Sequence, residues 1–372
     1  MNDVDLQRQW LILLRTPGLG PAGLREGLAT HANHVSSVLE DLRQRANELP
    51  DATRAWLLRP DQARLDADLA WLAQPGHQLL CCTEEDFPPL LDAIPQAPAA
   101  LFVAGDASLL LHPQIAIVGA RAATLGGRTH ARAFAQALGR AGLVITSGMA
   151  DGIDGAAHVA ALDAGLPTVA VVGTGPDRVY PRKHHALARR LVKHGTVVTE
   201  FPPGTAARAD HFPRRNRIIA GLALGTLVVE AGLGSGSLIT ARLAVEHGRE
   251  VFALPGSIHN PLAQGCHQLI RDGARLVETA REIVETLGMA AMALGRELAS
   301  RLGEDMASVC PPAADPAGQA LLDALGGGPM LLEELAAHTG QPVASLTAML
   351  LMLELEGRVE PLPGHRYQRM PG

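Results

Sequence analysis

Short apolar runs recur six times between residues 115 and 256, at 115–118, 143–146, 168–172, 196–199, 226–229 and 250–254. Each ends in a loop rich in glycine, serine or arginine, and helix-like segments separate them. Short apolar runs alternating with helical stretches predict β-α units around a buried parallel sheet. In such a sheet the loops that follow the strands line the ligand crevice. Here they are Gly119-Ala120-Arg121, Ser147-Gly148, Gly173-Thr174-Gly175, Glu200-Phe201-Pro202-Pro203-Gly204, Gly232-Leu233-Gly234-Ser235-Gly236-Ser237 and Pro255-Gly256-Ser257. They offer bare backbone N–H groups and arginine but few groups suited to acid/base work, a combination that suits phosphate better than bond-breaking.

The flanks follow other patterns. Residues 1–65 predict four helices, at 6–14, 23–29, 35–46 and 51–59, with the turn Thr16-Pro17-Gly18-Leu19-Gly20-Pro21 between the first two. Helix, Gly-rich turn, helix is similar to sterile-alpha-motif and helix-hairpin-helix bundles. With only Arg15 and Arg25 near the turn, it reads as a packing or interaction domain. Residues 66–112 predict a helix at 66–72 and strands at 78–82 and 100–104. The prolines between these strands suit a sheet edge, so the segment extends the main sheet into one α/β domain, 66–288. Residues 289–316 read as alanine-rich helix running into the linker Pro311-Pro312-Ala313-Ala314-Asp315-Pro316. Residues 317–372 predict a winged helix: helices at 317–325, 331–339 and 343–356, then strands at 359–362 and 365–369 around Pro363-Gly364. The third helix carries no basic residue over 343–353, whereas major-groove readout needs polar side chains at base edges. The module is therefore expected to dock protein, or nucleic acid weakly through Arg358, Arg366 and Arg369.

Composition narrows the classes. The chain has 372 residues, 47% of them hydrophobic but only 3% aromatic, so aliphatic residues and alanine must fill its core. No apolar run reaches the ~18 residues of a membrane span, and the start Met1-Asn2-Asp3-Val4-Asp5 lacks a basic signal-peptide region. Cys81, Cys82, Cys266 and Cys310 make no C-x-x-C pair, so neither a zinc site nor a disulfide framework is expected. These features predict a reduced, cytoplasmic protein with no metal, cofactor or membrane partner. The net charge is −6, yet residues 182–217 carry nine Lys/Arg against two acids, leaving 23 basic and 36 acidic residues elsewhere. A basic patch on an acidic body suits a phosphate chain and discourages indiscriminate binding.

The loops then divide by chemistry. Gly119-Ala120-Arg121 lacks the G-x-G-x-x-G dinucleotide fingerprint; its arginine is instead placed at the crevice mouth, where a guanidinium grips phosphate bidentately. Ser147-Gly148 turns towards a helix whose N-terminus can hold an anion. Asp151 and Asp154 are expected to cap that helix, and His158 to hydrogen-bond Asp154 four residues earlier. The strongest signal is Phe212-Pro213-Arg214-Arg215-Asn216-Arg217: three arginines in four residues open a helix, where the dipole disfavours cations. The alternative is pairing of one or two of them with Glu200 or Glu230. Gly234-Ser235-Gly236-Ser237 exposes N–H and hydroxyl donors but lacks the G-K-[ST] ending of a P-loop. Phe201 and Phe212 flank the basic loop as candidates for base stacking, with core packing the favoured role for Phe212.

At this point the motifs match a family. The stretch 115–287 resembles the DNA-processing protein A (DprA/Smf) family throughout, in Gly119-Ala120-Arg121, 147–158, Gly173-Thr174-Gly175 with Val179-Tyr180-Pro181, 212–221, 230–240 and 248–256. The resemblance implies an extended Rossmann-like fold with a mostly parallel sheet. It also implies a single-stranded DNA-binding protein that dimerises, brings RecA recombinase to incoming DNA and serves natural transformation, with no catalysis. Carried over by motif, it places DNA phosphate against Gly119, Arg121, Ser147, Gly148 and 214–217, and draws attention to Lys183 just after Tyr180-Pro181. Ala120 stands where the family usually has serine, and His267 where it usually has asparagine. The opposing class is an enzyme: the loop after Glu230 also resembles that of Rossmann-like nucleotide phosphoribohydrolases of the lysine-decarboxylase-like type. Those carry an acid shortly after a Gly-Gly-x-Gly-Thr run, whereas Ser237-Leu238-Ile239-Thr240 follows here and the next acid is Glu246.

Overall fold

The structure is a computed structural model. It describes residues 3–301, 316–325, 328–341, 346, 349–350, 353, 359–362 and 366–369. The chain forms two compact units, 1–298 and 299–372.

In the first unit nine strands make one sheet: β1 (His77–Cys81), β2 (Ala100–Gly105), β3 (Gln114–Val118), β4 (Val144–Ser147), β5 (Thr168–Val171), β6 (Thr196–Thr199), β7 (Gly225–Val228), β8 (Glu250–Ala253) and β9 (Arg275–Leu276). Their order across the sheet is β1-β2-β6-β5-β4-β3-β7-β8-β9. From β6 to β9 every pairing is parallel, and β1 and β2 add an antiparallel edge. The six apolar runs thus appear as strands within a residue or two of their predicted limits. The short exposed β9 carries no apolar run and was not foreseen.

Alternation along each strand divides the core. In β3, Ala116 and Val118 join one layer with Ile218, Ile219, Ala241 and Ala244, while Ile115 and Ile117 join the other with Phe134, Ala157 and Phe252. A fully buried strand must be apolar on both faces, which is why these segments read as continuous hydrophobic runs. Burying one isoleucine such as Ile117 contributes about 1.5–3 kcal/mol.

The N-terminal helices are Asp3–Leu14, Pro21–Thr30, Val35–Gln44 and Asp51–Leu58. They do not close a core of their own. Trp10, Leu13, Leu24, Leu28 and Leu57 share one cluster with Leu79 of β1 and Phe102 of β2. The boundary expected at residue 65 falls inside helix Gln62–Leu72, whose Leu65 and Trp71 belong to that same cluster. Arg15 adds a polar tie, donating to both carboxylate oxygens of the buried Asp68 at 2.5 and 2.7 Å and to the Pro203 carbonyl at 2.7 Å. Helix Ala280–Arg301 likewise runs across the boundary expected at residue 289.

In the second unit, helices Pro316–Leu325 and Leu332–Thr339 accompany a three-stranded sheet. It consists of β10 (Met330–Leu331), β11 (Val359–Leu362) and β12 (Arg366–Arg369), in the order β10-β12-β11. Leu321, Leu325, Leu335, Leu350 and Val359 form its core. The proline linker at 311–315, the turn Pro363-Gly364, Cys310, Arg358 and most of the third helix lie outside the described residues. Arg369 sits 3.6 Å from Asp323.

Candidate functional site

The chain runs outward from β3 through β4, β5 and β6, then returns to place β7 on the other side of β3. That reversal is a topological switch point, where open α/β sheets form their ligand crevice. The two loops at the switch are tied together: Ala120 N–H donates to the Glu230 carbonyl at 2.7 Å, and Val229 N–H to Val118 at 3.1 Å. Between them opens a cavity of about 810 Å³.

One wall is Gly119-Ala120-Arg121; the opposite wall is Gly234-Ser235-Gly236-Ser237 at the start of helix Gly236–Glu246. Ser235 caps that helix, its Oγ lying 3.3 Å from Ser237 N and 2.7 Å from Ser237 Oγ. The eleven-residue helix therefore presents its N-terminal end to the cavity, where N–H groups and the dipole favour an anion. Arg121 is exposed at the mouth, its guanidinium carbon 5.5 Å from the centre of the Phe212 ring. Phe212 in turn lies 5.4 Å from the ring of Tyr180, which is 46% exposed.

The floor is Arg215, on helix His211–Leu222, with only 4% of its surface exposed. Its Nη1 donates to the Val171 carbonyl at 2.8 Å, and its Nε has no hydrogen-bond partner among the described residues. Among the described residues no carboxylate comes within 4 Å of it. Burial pushes its pKa down to about 10, Asp154 opposes that shift and Arg121 adds to it. At neutral pH it is a buried, unpaired cation. Gly148 makes this possible: a Cβ there would collide with the Arg215 guanidinium. Asp154 lies on the same wall with its pKa raised by burial, against the lowering effects of Arg215 and of the Ala150 and Gly148 N–H groups.

Nine of the seventeen predicted site residues meet here: Gly119, Ala120, Arg121, Arg215, Asn216, Gly234, Ser235, Gly236 and Ser237. The others lie elsewhere. Ser147 is fully buried, with its hydroxyl donating to the Ile117 carbonyl at 2.6 Å. Gly148 gives its N–H to Asp154 at 3.1 Å. Gly173, Thr174 and Gly175 are covered by residues 201–211: His211 Nδ1 reaches the Gly173 carbonyl at 3.1 Å, Gly175 N–H donates to Thr205 at 2.9 Å, and the Thr174 hydroxyl donates to the Arg178 carbonyl at 2.7 Å. Lys183 is exposed and lies 3.0 Å from Asp151. Arg217 is buried on Glu200 at 2.7 Å, and Arg214 lies 3.7 Å from the same carboxylate.

Local expectations also change. Glu200, not Glu230, absorbs two arginines, because Glu230 is held by the Thr124 N–H at 2.9 Å and hydroxyl at 2.6 Å. Neither Asp151 nor Asp154 caps helix Ile153–Asp163. Its N-cap is Gly152, whose positive φ of 78° and contact with the Ala120 carbonyl exclude a side chain. Asp154 instead staples the preceding loop. His158 bonds Thr168 at 2.7 Å rather than Asp154. The aromatic roles are exchanged: Phe201 is buried, and Phe212 lines the crevice. His267, where asparagine was expected, donates to the Gly256 carbonyl at 3.0 Å within an intact helix Gln264–Arg271. The sequence reading gave no role to Tyr180 or Arg208, both on the crevice wall; with two tyrosines in the chain, one inside a matched motif was a usable signal.

Among the described residues no group of three or more His, Cys, Asp or Glu could hold a metal ion, and no helix is long and apolar enough to cross a membrane. Comparison with known proteins agrees with the fold. Residues 78–288 match the DNA recombination-mediator protein A family, and residues 304–365 match the DprA winged helix domain. The chain is 42% identical to Protein Smf of Escherichia coli over 89% of its own length and 87% of that protein. It is similar to the X-ray structure of DNA processing protein A from Streptococcus pneumoniae, with a TM-score of 0.67 and 36% identity over 75% of this chain and 97% of that one. A second similar structure, described for the single-stranded DNA binding mode of DNA processing protein A from Helicobacter pylori, has a TM-score of 0.52 and 28% identity over 57% of this chain and 96% of that one. The chain belongs to the DNA recombination-mediator protein A family.

Proposed function

We propose that the crevice grips the backbone of single-stranded DNA and that the chain is a DNA-binding recombination mediator rather than an enzyme. It works as a homodimer, protects incoming DNA and delivers RecA recombinase to it during natural transformation. The observation that carries the DNA reading is Arg215, a cation buried at the crevice floor without a carboxylate partner. An unpaired buried charge is costly, and a phosphate between Arg121, Arg215 and the helix N-terminus at Gly236 would supply the missing anion. The similar structure of the Helicobacter pylori protein, described for its single-stranded DNA binding mode, points the same way. The dimer and the recombinase rest on the family resemblance.

Arg121 is exposed, so its removal is expected to leave folding untouched. Arg121→Ala should weaken binding to single-stranded DNA about tenfold, the size of one charge-assisted contact. It should also reduce the slope of log affinity against log salt by about 0.7, one phosphate contact's worth on a single strand. Gel shifts across about 50–200 mM salt would read both quantities; an unchanged slope would remove Arg121 from the interface.

The enzyme alternative has one foothold. Asp154 is the sole carboxylate on the crevice wall among the described residues, and its raised pKa is a property that acid/base groups share. Two backbone N–H groups hold its Oδ2, which assigns it to the loop. Glu246 is exposed and off the crevice. Incubation with nucleoside monophosphates is expected to release no free base, and steady turnover abolished by Asp154→Asn would reverse the assignment.

A further inference from the structure

The first turn of helix His211–Leu222 has a second side. Arg215 and Asn216 face the crevice, while His211 and Arg214 line a separate cavity of about 390 Å³. Its far wall is the N-terminal hairpin, at Gly20, Pro21 and Leu24. Building on the reading that the crevice takes DNA, we propose that this cleft receives one base of the same strand and selects bases that carry an exocyclic amine.

The selecting group is Glu200. Its side chain is only 7% exposed; Oε2 holds Arg217 at 2.7 Å and lies 3.7 Å from Arg214. Among the described residues Oε1 is buried without a hydrogen-bond partner. A buried acceptor left unpaired costs free energy that an N–H donor recovers. Cytosine, adenine and guanine each carry an exocyclic amino group to offer, whereas the single N–H of thymine, at N3, is flanked by two carbonyl oxygens that a carboxylate repels. The neighbour of this carboxylate in the cleft is movable: Arg214 is half exposed, and its 3.7 Å approach to Glu200 Oε2 is too long for a hydrogen bond.

The remaining surfaces suit the rest of a nucleotide. Phe201 stacks on His211 at 4.1 Å and an interplanar angle of 20°, and the Arg214 guanidinium lies 5.2 Å from the Phe201 ring centre. A flat guanidinium on an aromatic platform is a surface on which bases stack. Helix Pro21–Thr30 starts beside the cleft at Gly20, which offers no side-chain cap. Two arginines around one carboxylate leave the cleft net positive, which favours a nucleotide over a cationic peptide or polyamine. The strand would pass between the two cavities over the exposed Pro213, across a helix about 10 Å wide.

Two homopolymers of the same size and shape provide the test, oligothymidine and oligo-5-methyldeoxycytidine, which differ in the 4-position group (carbonyl against amine) and the N3 proton that goes with it, at mildly alkaline pH where cytosine is unprotonated. The full-length chain is expected to bind the amino polymer roughly five- to tenfold tighter. Gly20→Trp should erase that preference and leave oligothymidine binding intact. A Cβ at Gly20 meets nothing within 4 Å, and the backbone φ of −80° accepts any side chain, so the indole fills the cleft without touching the core. Glu200→Gln, which turns an N–H into the cleft, should erase the preference as well. Equal affinity of the unaltered chain for both polymers overturns the proposal, as does a preference that survives Gly20→Trp. If Arg121→Ala still weakens both polymers in either case, the crevice reading stands and only the cleft is lost. Failure to bind either polymer would remove both.

Discussion

Replacing Arg215 by methionine is expected to abolish tight single-stranded DNA binding while the chain stays folded. Arg215 is 4% exposed, and among the described residues its only hydrogen bond is the one to the Val171 carbonyl. In the free protein its desolvation is uncompensated by any carboxylate within 4 Å, so removing the charge relieves as well as costs. The lost hydrogen bond costs about 1 kcal/mol, while exchanging an unpaired buried charge for an apolar chain of similar length is neutral or stabilising. The melting temperature should therefore move by no more than a few degrees. The bound state loses far more. A DNA phosphate drawn into the crevice would be left without its buried partner, at about 2–4 kcal/mol or roughly 30- to 700-fold in Kd. Arg215→Lys should fall between, since a point charge on a flexible stem cannot reach both the Val171 carbonyl and a phosphate as the planar fork does. Gly148→Ala should imitate Arg215→Met, because its methyl group would occupy the space of the guanidinium. Methionine and alanine variants that bind DNA as tightly as the parent would dismiss Arg215 as the anchor.

The uneven fate of the basic cluster shows how far the sequence could be read. The sheet was legible because a strand buried on both faces is apolar on both, as residues 115–118 of β3 and 169–171 of β5 are. The crevice was legible in outline because strand-end loops mark it wherever the strands lie. The facing of individual arginines was not. Arg214 and Arg217 are three residues apart and so share one helix face, where both meet Glu200; Arg215 lies about 100° further round and meets the crevice. The spacing alone says which arginines act together, but not which face the sheet turns towards the switch point. Glu200 and Glu230 both follow strands, and only the capping demand of Thr124 removes Glu230 from contention. The Gly173-Thr174-Gly175 loop ends a strand as the others do, yet residues 201–211 cover it. That tertiary contact has no local signature. Ser147 and Asp154 have side chains that suit a ligand, and the structure uses them to hold backbone instead.

Acid is expected to destabilise the first unit through His158, well above the pH at which carboxylates titrate. The ring, on helix Ile153–Asp163, is fully buried, and its Nδ1 lies 2.7 Å from Thr168 Oγ1 at the start of β5. That hydroxyl spends its single proton on the Ile145 carbonyl at 2.6 Å, so it accepts from Nδ1–H, and Nε2 carries the bare lone pair without a partner. The ring is neutral. Burial first, then His184 and Arg215, push its pKa from 6.5 down to about 3, against the Ser147 backbone, which favours the protonated ring. The unfolded chain therefore binds a proton that the folded chain refuses across the window between those values. Stability is complete above the unfolded pKa and is lost as pH falls, by about 1.4 kcal/mol per unit within the window. His247, also lowered by burial, adds in the same direction. Asp154, raised by burial, opposes: in the interval above 3.8 its folded form holds the proton longer, and stability falls as pH rises. Urea unfolding at pH 7, 6 and 5 should isolate the histidine when compared with His158→Asn, which keeps an N–H for Thr168 but cannot titrate. The parent should lose roughly 2 kcal/mol more than the variant between pH 7 and 5. Parallel profiles for the two proteins would mean that His158 does not control acid stability. Because Arg215 is one cause of the depression, Arg215→Met should lift the folded pKa of His158 and shorten the window from its acid end. The same residue that would anchor DNA in the crevice thus also sets how far into acid the domain beneath it keeps losing stability.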